Sequence, residues 1–288
     1  MEQPRIATIL AVTLTLAIVQ NSSHSAPRHL DLVYAEAGGI PLKLDLYTSR
    51  PNAPLVVWMH GGAWRSGTKA NPPVTFLLQE GYALASIDYR LSTQAPYPAL
   101  LHDCKAAIRW LRANQKEYGY DASKIAVAGS SAGGHLAALI GVTNNSPPHE
   151  GCVGVNGGES SSVQAIVDYY GPTNFLTILH QSTPHGLSVR VPALQLLLGS
   201  QPEDNLPLAK LASPVAHVGP GDPPLLMLHG DQDPQVPINQ SHELHHQYKL
   251  HNLDVHLEVV HGGKHGGSPF YSQTNRKHVI QFLEKHLR

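Results

Sequence analysis

Short apolar runs alternate with longer amphipathic segments along most of this chain. The apolar runs predict strands at 55–59, 82–88, 125–129, 164–169, 224–229 and 255–260. The amphipathic segments predict helices at 99–115, 133–142, 238–250 and 272–286. Alternation on both sides of Gly38-Gly39 predicts an antiparallel hairpin over 29–47. This order predicts an α/β fold with a mostly parallel central sheet flanked by helices.

Two segments interrupt the alternation. Residues 143–162 are rich in Asn, Gly, Ser and Pro, and this composition predicts a loop. Residues 172–220 are rich in proline and contain one apolar helical patch, Ala193–Leu198. The remaining pattern is continuous and predicts a single domain over 27–288.

The N-terminal segment has the pattern of a signal peptide. Arg5 precedes an apolar run from Ile6 to Val19, and small residues at Ser23, Ser25 and Ala26 follow it. A run of about 14 residues is shorter than the about 20 that span a bilayer. We therefore expect a signal peptide over 1–26 and a secreted or periplasmic protein without a stable membrane span. An uncleaved N-terminal anchor is the alternative.

The composition argues against nucleic acid as a partner and does not decide whether the two cysteines form a disulfide. The net charge of −1 gives no basic surface for nucleic acid. An exported chain can form a disulfide, but the sequence does not bring Cys104 and Cys152 together, and two separate thiols are an equal alternative. With 19 histidines, any single histidine is a weak signal of function.

A candidate nucleophile lies where the strand at 125–129 meets the helix at 133–142. Residues 129–133 read Gly-Ser-Ser-Ala-Gly, the G-x-S-x-G pattern of a nucleophile elbow centred on Ser131. The small neighbours Ala132 and Gly133 permit the sharp turn that exposes the hydroxyl. A Gly/Ser-rich loop without catalytic function is the alternative.

Candidate partners for Ser131 follow later strands in a suitable order. Asp231 and Asp233 come after the strand at 224–229, and His265 comes after the strand at 255–260. A serine nucleophile needs a base, and the base needs an orienting carboxylate. The order Ser, Asp, His is that of α/β-hydrolases rather than of trypsin or subtilisin.

Candidate oxyanion donors precede the elbow. The segment His60–Trp64 follows the strand at 55–59, and its glycines allow amides to approach a substrate oxygen. The amides of Gly62, Ala63 and Ala132 are the expected donors. Trp64 either binds substrate as a pocket wall or packs in the core.

Several longer motifs carry a family resemblance. They are HGGAW at 60–64, IDYRL at 87–91, HDCKAAIRWLR at 102–112, GSSAGGH at 129–135, DYYGPTN at 168–174, HGDQDPQVP at 229–237 and GGKHGG at 262–267. On these motifs the chain resembles the α/β-hydrolase superfamily, in particular hormone-sensitive-lipase-like carboxylesterases. Within that group it is similar to the secreted branch of feruloyl and acetyl-xylan esterases. The chain departs from the lipase branch at Ala63, often a third Gly there, and at Ser130, often Asp.

The resemblance implies a function and assigns the residues. It implies an α/β-hydrolase fold with a short cap at 172–220, and it favours Asp233 over Asp231 as the third triad member. The implied activity is hydrolysis of short-chain, acetyl or hydroxycinnamoyl esters, small or polysaccharide-linked, through an acyl-enzyme. It implies no metal, no cofactor and no obligate protein partner.

Two other enzyme classes share parts of these patterns. His242-Glu-Leu-His-His246 matches the H-E-x-x-H pattern of zinc metalloproteases. Chance matches are expected in so histidine-rich a chain, and a solvated helix face explains this one. Serine peptidases of the prolyl-oligopeptidase type share the triad order, but the chain has no room for their propeller.

Overall fold

The computed structural model describes Met1 and residues 28–288. The predicted signal peptide at 1–26 lies, apart from Met1, outside the described residues. Within these, no helix has the length and apolar character needed to cross a membrane.

Eight strands and nine helices, with four short 3-10 turns, form the described part of the chain. The strands are β1 Arg28–Ala37, β2 Ile40–Tyr47, β3 Ala53–Met59, β4 Ala83–Ile87, β5 Tyr120–Ser130, β6 Ala165–Tyr169, β7 Leu225–Gly230 and β8 Val255–Val260. The helices are α1 Ala99–Ala113, α2 Gln115–Tyr118, α3 Ala132–Val142, α4 Pro147–Glu150, α5 Ile178–Gln181, α6 Pro184–Leu198, α7 Leu206–Leu211, α8 Asn239–Leu250 and α9 Gln273–Leu287.

The strands form one sheet in the order β1-β2-β4-β3-β5-β6-β7-β8. β1, β2 and β4 pair antiparallel, and every pair from β4–β3 to β7–β8 is parallel. The prediction of a mostly parallel sheet that opens with a hairpin is confirmed. In a parallel sheet the loops after the strands gather at one edge, and this brings the loops after β3, β5, β7 and β8 together.

Alternating strand residues bury two separate cores. On one face, side chains such as Val57, Val127 and Met227 pack with α1, α3 and α8. On the other face, Val56 and Leu228 belong to a core that includes residues of α9. Burial on both faces explains why β3 to β7 read as continuous apolar runs in the sequence.

The structure differs from the sequence-based expectation in the two interrupting segments. Residues 143–162 contain the short helix α4, and the single helical patch expected at 193–198 is the end of the fifteen-residue helix α6. Thr183 caps α6 by accepting a hydrogen bond from the Gly186 amide at 3.0 Å. Pro192 lies inside the helix, where prolines usually end helical structure.

The two cysteines are separate free thiols. Cys104 is buried in α1, where burial raises the pKa of its thiol well above the usual value. Cys152 is exposed.

Candidate active site

Ser131 lies at the turn between β5 and α3. Its backbone has φ 54° and ψ −117°, a left-handed conformation that side-chain-bearing residues rarely adopt. The Ser131 amide donates a 2.8 Å hydrogen bond to the carbonyl of Tyr169 on the neighbouring strand β6. Backbone strain fixed in this way is typical of functional residues.

Two glycines make the turn possible. A Cβ at Gly129 would overlap the carbonyl oxygen of Gly133, and a Cβ at Gly133 would overlap the carbonyl oxygen of Met59 at the end of β3. α3 therefore starts in direct contact with the backbone of the loop after β3. This contact brings the segment His60–Trp64 beside Ser131.

His265 connects Ser131 to Asp233. The Ser131 hydroxyl donates to His265 Nε2 at 2.8 Å, and His265 Nδ1 donates to Asp233 Oδ2 at 2.7 Å. An ionised carboxylate accepts hydrogen bonds only, so the Nδ1 proton lies toward Asp233 and Nε2 is free to accept. The three side chains predicted to act together thus form one continuous hydrogen-bonded chain.

The surroundings of Asp233 keep it ionised. Burial raises the pKa of its carboxyl, but hydrogen bonds outweigh this effect and hold the pKa far below the usual value. His229 Nε2 lies 3.5 Å from Oδ2, and the amides of Gln235 and Val236 donate to Oδ1 at 2.8 and 2.9 Å. Asp233 is therefore a fixed anion at neutral pH.

Burial keeps His265 in its basic form. Desolvation lowers the pKa of the imidazole, Asp233 raises it, and the nearby cation Arg190 lowers it further. The net pKa lies below the usual 6.5. At neutral pH His265 is therefore mostly neutral and able to accept the Ser131 proton.

Asp231 has other partners. It accepts a 3.0 Å bond from His261 Nδ1 and a 2.8 Å bond from the Gly262 amide, at the exposed side of the loop. The structure thus places Asp233, and not Asp231, at His265.

Three backbone amides beside Ser131 are free to bind an oxygen. The amides of Gly62 and Ala63 donate to no acceptor within the described residues. Ala132 is the first residue of α3, where the amide has no intrahelical partner. Gly62 has φ 118° and Ala63 has φ 52°, so the backbone conformation of this segment is unusual. The Ala132 amide thus adjoins Ser131 in the chain, and Gly62 and Ala63 line the same cavity as Ser131.

The indole of Trp64 lies in the core. Trp64 is fully buried, and its Nε1 donates a 3.1 Å bond to His135 Nδ1. His135 Nε2 in turn donates to the Ala212 carbonyl at 2.7 Å, which joins α3 to the cap. Trp64 thus packs in the core, and the alternative role as a substrate-binding pocket wall is wrong. Trp64 does not line the cavity beside Ser131.

A cavity of about 450 Å³ opens beside Ser131 and His265. Its lining includes the predicted Gly62 and Ala63 and five side chains that were not among the predicted site residues: Arg65, Ser66, Tyr170, Arg190 and Gln235. Tyr170 lies within the quoted motif at 168–174, and its ring contacts His265 with centroids 4.9 Å apart. The lining is largely polar.

The HELHH segment at 242–246 has a structural role in α8. Glu243 accepts hydrogen bonds from Asn174, Thr177 and Gln181 at 2.5–3.0 Å. Leu244 is buried in the core. Across the described residues no group of three or more His, Cys, Asp or Glu side chains is placed to hold a metal ion.

A family model described as BD-FAE matches residues 44–248. The chain belongs to the BD-FAE family. This match covers every strand from β3 to β7 and confirms the predicted resemblance to hormone-sensitive-lipase-like α/β-hydrolase esterases.

Curated relatives of this BD-FAE member are named as ester hydrolases. The probable carboxylic ester hydrolase LipM of Mycobacterium tuberculosis is 34% identical over 223 residues, which cover 73% of this chain and 49% of that protein. The chain spans about half the length of the curated relatives that it matches. The predicted enzyme class is the one that these relatives carry.

Solved structures confirm the α/β-hydrolase fold. A truncated carbohydrate esterase from gut microbiota has a TM-score of 0.83 at 30% identity, covering 92% of this chain and 98% of that chain. An acetyl ester-xyloside bifunctional hydrolase from Caldicellulosiruptor lactoaceticus has a TM-score of 0.74 at 25% identity, covering 90% and 97%.

Proposed function

We propose that this protein is a serine esterase that hydrolyses carboxylic esters through an acyl-enzyme on Ser131. The observation that supports this most strongly is the hydrogen-bonded chain from Ser131 through His265 to Asp233, with three free amides beside it and a cavity in front. Nucleophile, base and oxyanion donors are the parts that acyl transfer needs.

In the proposed mechanism Ser131 Oγ attacks the ester carbonyl carbon while His265 Nε2 takes the hydroxyl proton. The amides of Gly62, Ala63 and Ala132 hold the negative oxygen of the tetrahedral intermediate. The carbon–oxygen bond to the alcohol then breaks, and His265 returns the proton to the leaving oxygen. A water molecule repeats these steps to release the acid. Asp233 holds the imidazole in the required tautomer and stabilises the imidazolium.

The proposed substrates are short-chain, acetyl or hydroxycinnamoyl esters, free or attached to carbohydrate. The polar lining of the cavity supports this choice. The names of two structural neighbours, a carbohydrate esterase and an acetyl ester-xyloside bifunctional hydrolase, support it as well. The signal-peptide pattern at 1–26 supports the further proposal that the protein is exported to where polysaccharide esters occur.

Replacement of Ser131 by Ala tests the proposal. We expect turnover of 4-nitrophenyl acetate, methyl ferulate and acetylated xylan to fall about a million-fold, as for other triad nucleophiles. A phosphonate ester should label the peptide that contains Ser131 in the wild type and leave that peptide unlabelled in Ser131→Ala. Ser130→Ala, at the adjacent serine, is the matched control and should retain most of the turnover. Wild-type turnover in Ser131→Ala would contradict the proposed nucleophile.

A further inference from the structure

Arg190 is a buried cation without a partner. It lies in α6 and is 1% exposed, and no described residue forms an ion pair with it. Its Nε and Nη1 are shielded from solvent and have no hydrogen-bond partner within the described residues. Burial lowers the pKa of Arg190 to about 10, so the guanidinium remains charged at neutral pH. A buried charge without a partner is costly, and a water, an ion or a ligand can supply the missing partner.

Arg190 lines the cavity that holds Ser131 and His265. Its Cζ lies 5.8 Å from the ring centroid of Trp64, which supports one face of the group. Its charge lowers the pKa of His265, and Arg190, His265 and Ser131 all line this cavity. An acceptor bound to Arg190 would therefore lie beside the scissile ester.

Nearby protein acids do not neutralise Arg190. Asp233 is the acid whose charge acts most on it, but both Asp233 oxygens accept other hydrogen bonds. Arg65 also lines the cavity and forms no ion pair within the part of the chain that the structure describes. The cavity thus presents two arginines and no free carboxylate among the described residues.

We propose that Arg190 binds a carboxylate that the substrate carries in addition to its scissile ester. This inference rests on the proposed esterase function and specifies the substrate class. The planar guanidinium matches the two oxygens of a carboxylate, and the pair compensates both the charge and the missing hydrogen bonds. A neutral hydroxyl would supply one acceptor and leave the charge uncompensated. The carboxylate can belong to the acyl group or to the alcohol, as in an acylated acidic sugar.

Pairs of substrates that differ in charge test a carboxylate on the acyl group and a carboxylate on the alcohol. For the acyl side, 4-nitrophenyl hemisuccinate is compared with 4-nitrophenyl levulinate, and the enzyme-free rate is subtracted. For the alcohol side, 4-acetoxybenzoate is compared with 4-acetoxybenzamide. We expect kcat/KM to favour the charged member of at least one pair by about tenfold to a hundredfold, the range of a charge-assisted hydrogen bond. Equal values in both pairs would overturn the proposal.

Substitutions assign the preference to Arg190. Arg190→Met should bring the ratio of charged to neutral substrate close to one, and Arg190→Lys should retain part of it as a point charge. Arg276→Met removes an exposed arginine outside the cavity and should leave the ratio unchanged. Far-UV circular dichroism and thermal unfolding show that each variant is folded. A preference that survives in Arg190→Met would overturn the role of Arg190.

Binding to Ser131→Ala separates this proposal from the proposed function. Calorimetric titration compares monomethyl succinate with methyl levulinate, and 4-acetoxybenzoate with 4-acetoxybenzamide. A preference for the charged ligand that is lost in Ser131→Ala/Arg190→Met supports the carboxylate site even if the wild type hydrolyses none of the esters. Equal affinities for both pairs would overturn the site, whatever the wild type hydrolyses.

Discussion

Asp231 and Asp233 follow the same strand, β7, but their carboxylates face different histidines. The side chain of Asp233 is fully buried and bonds His265, whereas that of Asp231 is 31% exposed and bonds His261. Only the first pair connects to Ser131. The two positions therefore offer a matched test of the orienting carboxylate.

Asp233→Asn should be far more damaging to activity than Asp231→Asn. An amide at 233 can donate to Nδ1 and favour the wrong tautomer of His265, an effect that costs about 10⁴-fold in kcat in a serine protease triad. At 231 an amide can still accept from His261 and Gly262, so activity should change little. The measurement is kcat for 4-nitrophenyl acetate in both variants. A silent change at 233 combined with a large loss at 231 would reverse the assignment.

The sequence locates some single residues and misses others for a physical reason. Ser131, Asp233 and His265 each lie in the loop or turn that follows a predicted strand, and parallel strands bring such positions to one edge. Arg190 lies in an insertion without a recognisable motif. The position of Trp64 depends on a bond to His135, which is distant in sequence. Contacts of that kind are not visible in a local pattern.

At the scale of elements, the elbow depends on how closely α3 approaches β3. Gly133→Ala should destabilise the protein by about 3 kcal/mol or more, because the new Cβ would overlap backbone oxygens of Met59 and His60 that cannot easily move. Gly157→Ala is the control, since a Cβ at Gly157 meets no atom within 4 Å and the residue lacks a positive φ. Thermal unfolding followed by circular dichroism should show a large loss of Tm only for Gly133→Ala. Equal Tm values would mean that the β3–α3 contact is not tight.

Helix α6 shows why an element can escape prediction. Its buried positions Gly186, Arg190, Ala193, Leu194 and Leu197 have the spacing of a helix face. The first two of these positions are not apolar, and Pro192 interrupts the pattern, so only the last turns read as helical. Arg190, one of the residues that interrupt the apolar pattern of α6, is the residue that we assign to substrate binding.

For the whole molecule, the pattern predicted the fold class but not the strand order. Each strand from β3 to β8 is an apolar run between turns, and these runs do not show which strand neighbours which. The observed order places the antiparallel β1–β2 hairpin at one edge and β8 at the other, with β5 and its nucleophile near the middle. The catalytic loops thus lie side by side, while α6 of the cap contributes one wall of the cavity through Val189 and Arg190.

The dimensions of this cavity lead to an expectation about acyl length. A volume of about 450 Å³ lies in the lower part of the range for small-molecule sites, and the wall is mostly polar around Ala63 and Val189. A long acyl chain would have to bury its methylene groups against arginine and glutamine side chains. Each methylene would then gain little of the about 0.8 kcal/mol of free energy that burial in an apolar channel provides. We therefore expect kcat/KM for 4-nitrophenyl esters of two to sixteen carbons to be highest for the shortest chains and to decline steadily beyond them.

Added micelles or emulsions should not raise the rate, because the described cap offers no broad apolar lid for a lipid interface to open. A maximum at long chains, or activation at an interface, would show that the cap rearranges to expose an apolar channel and that the short-ester assignment is wrong.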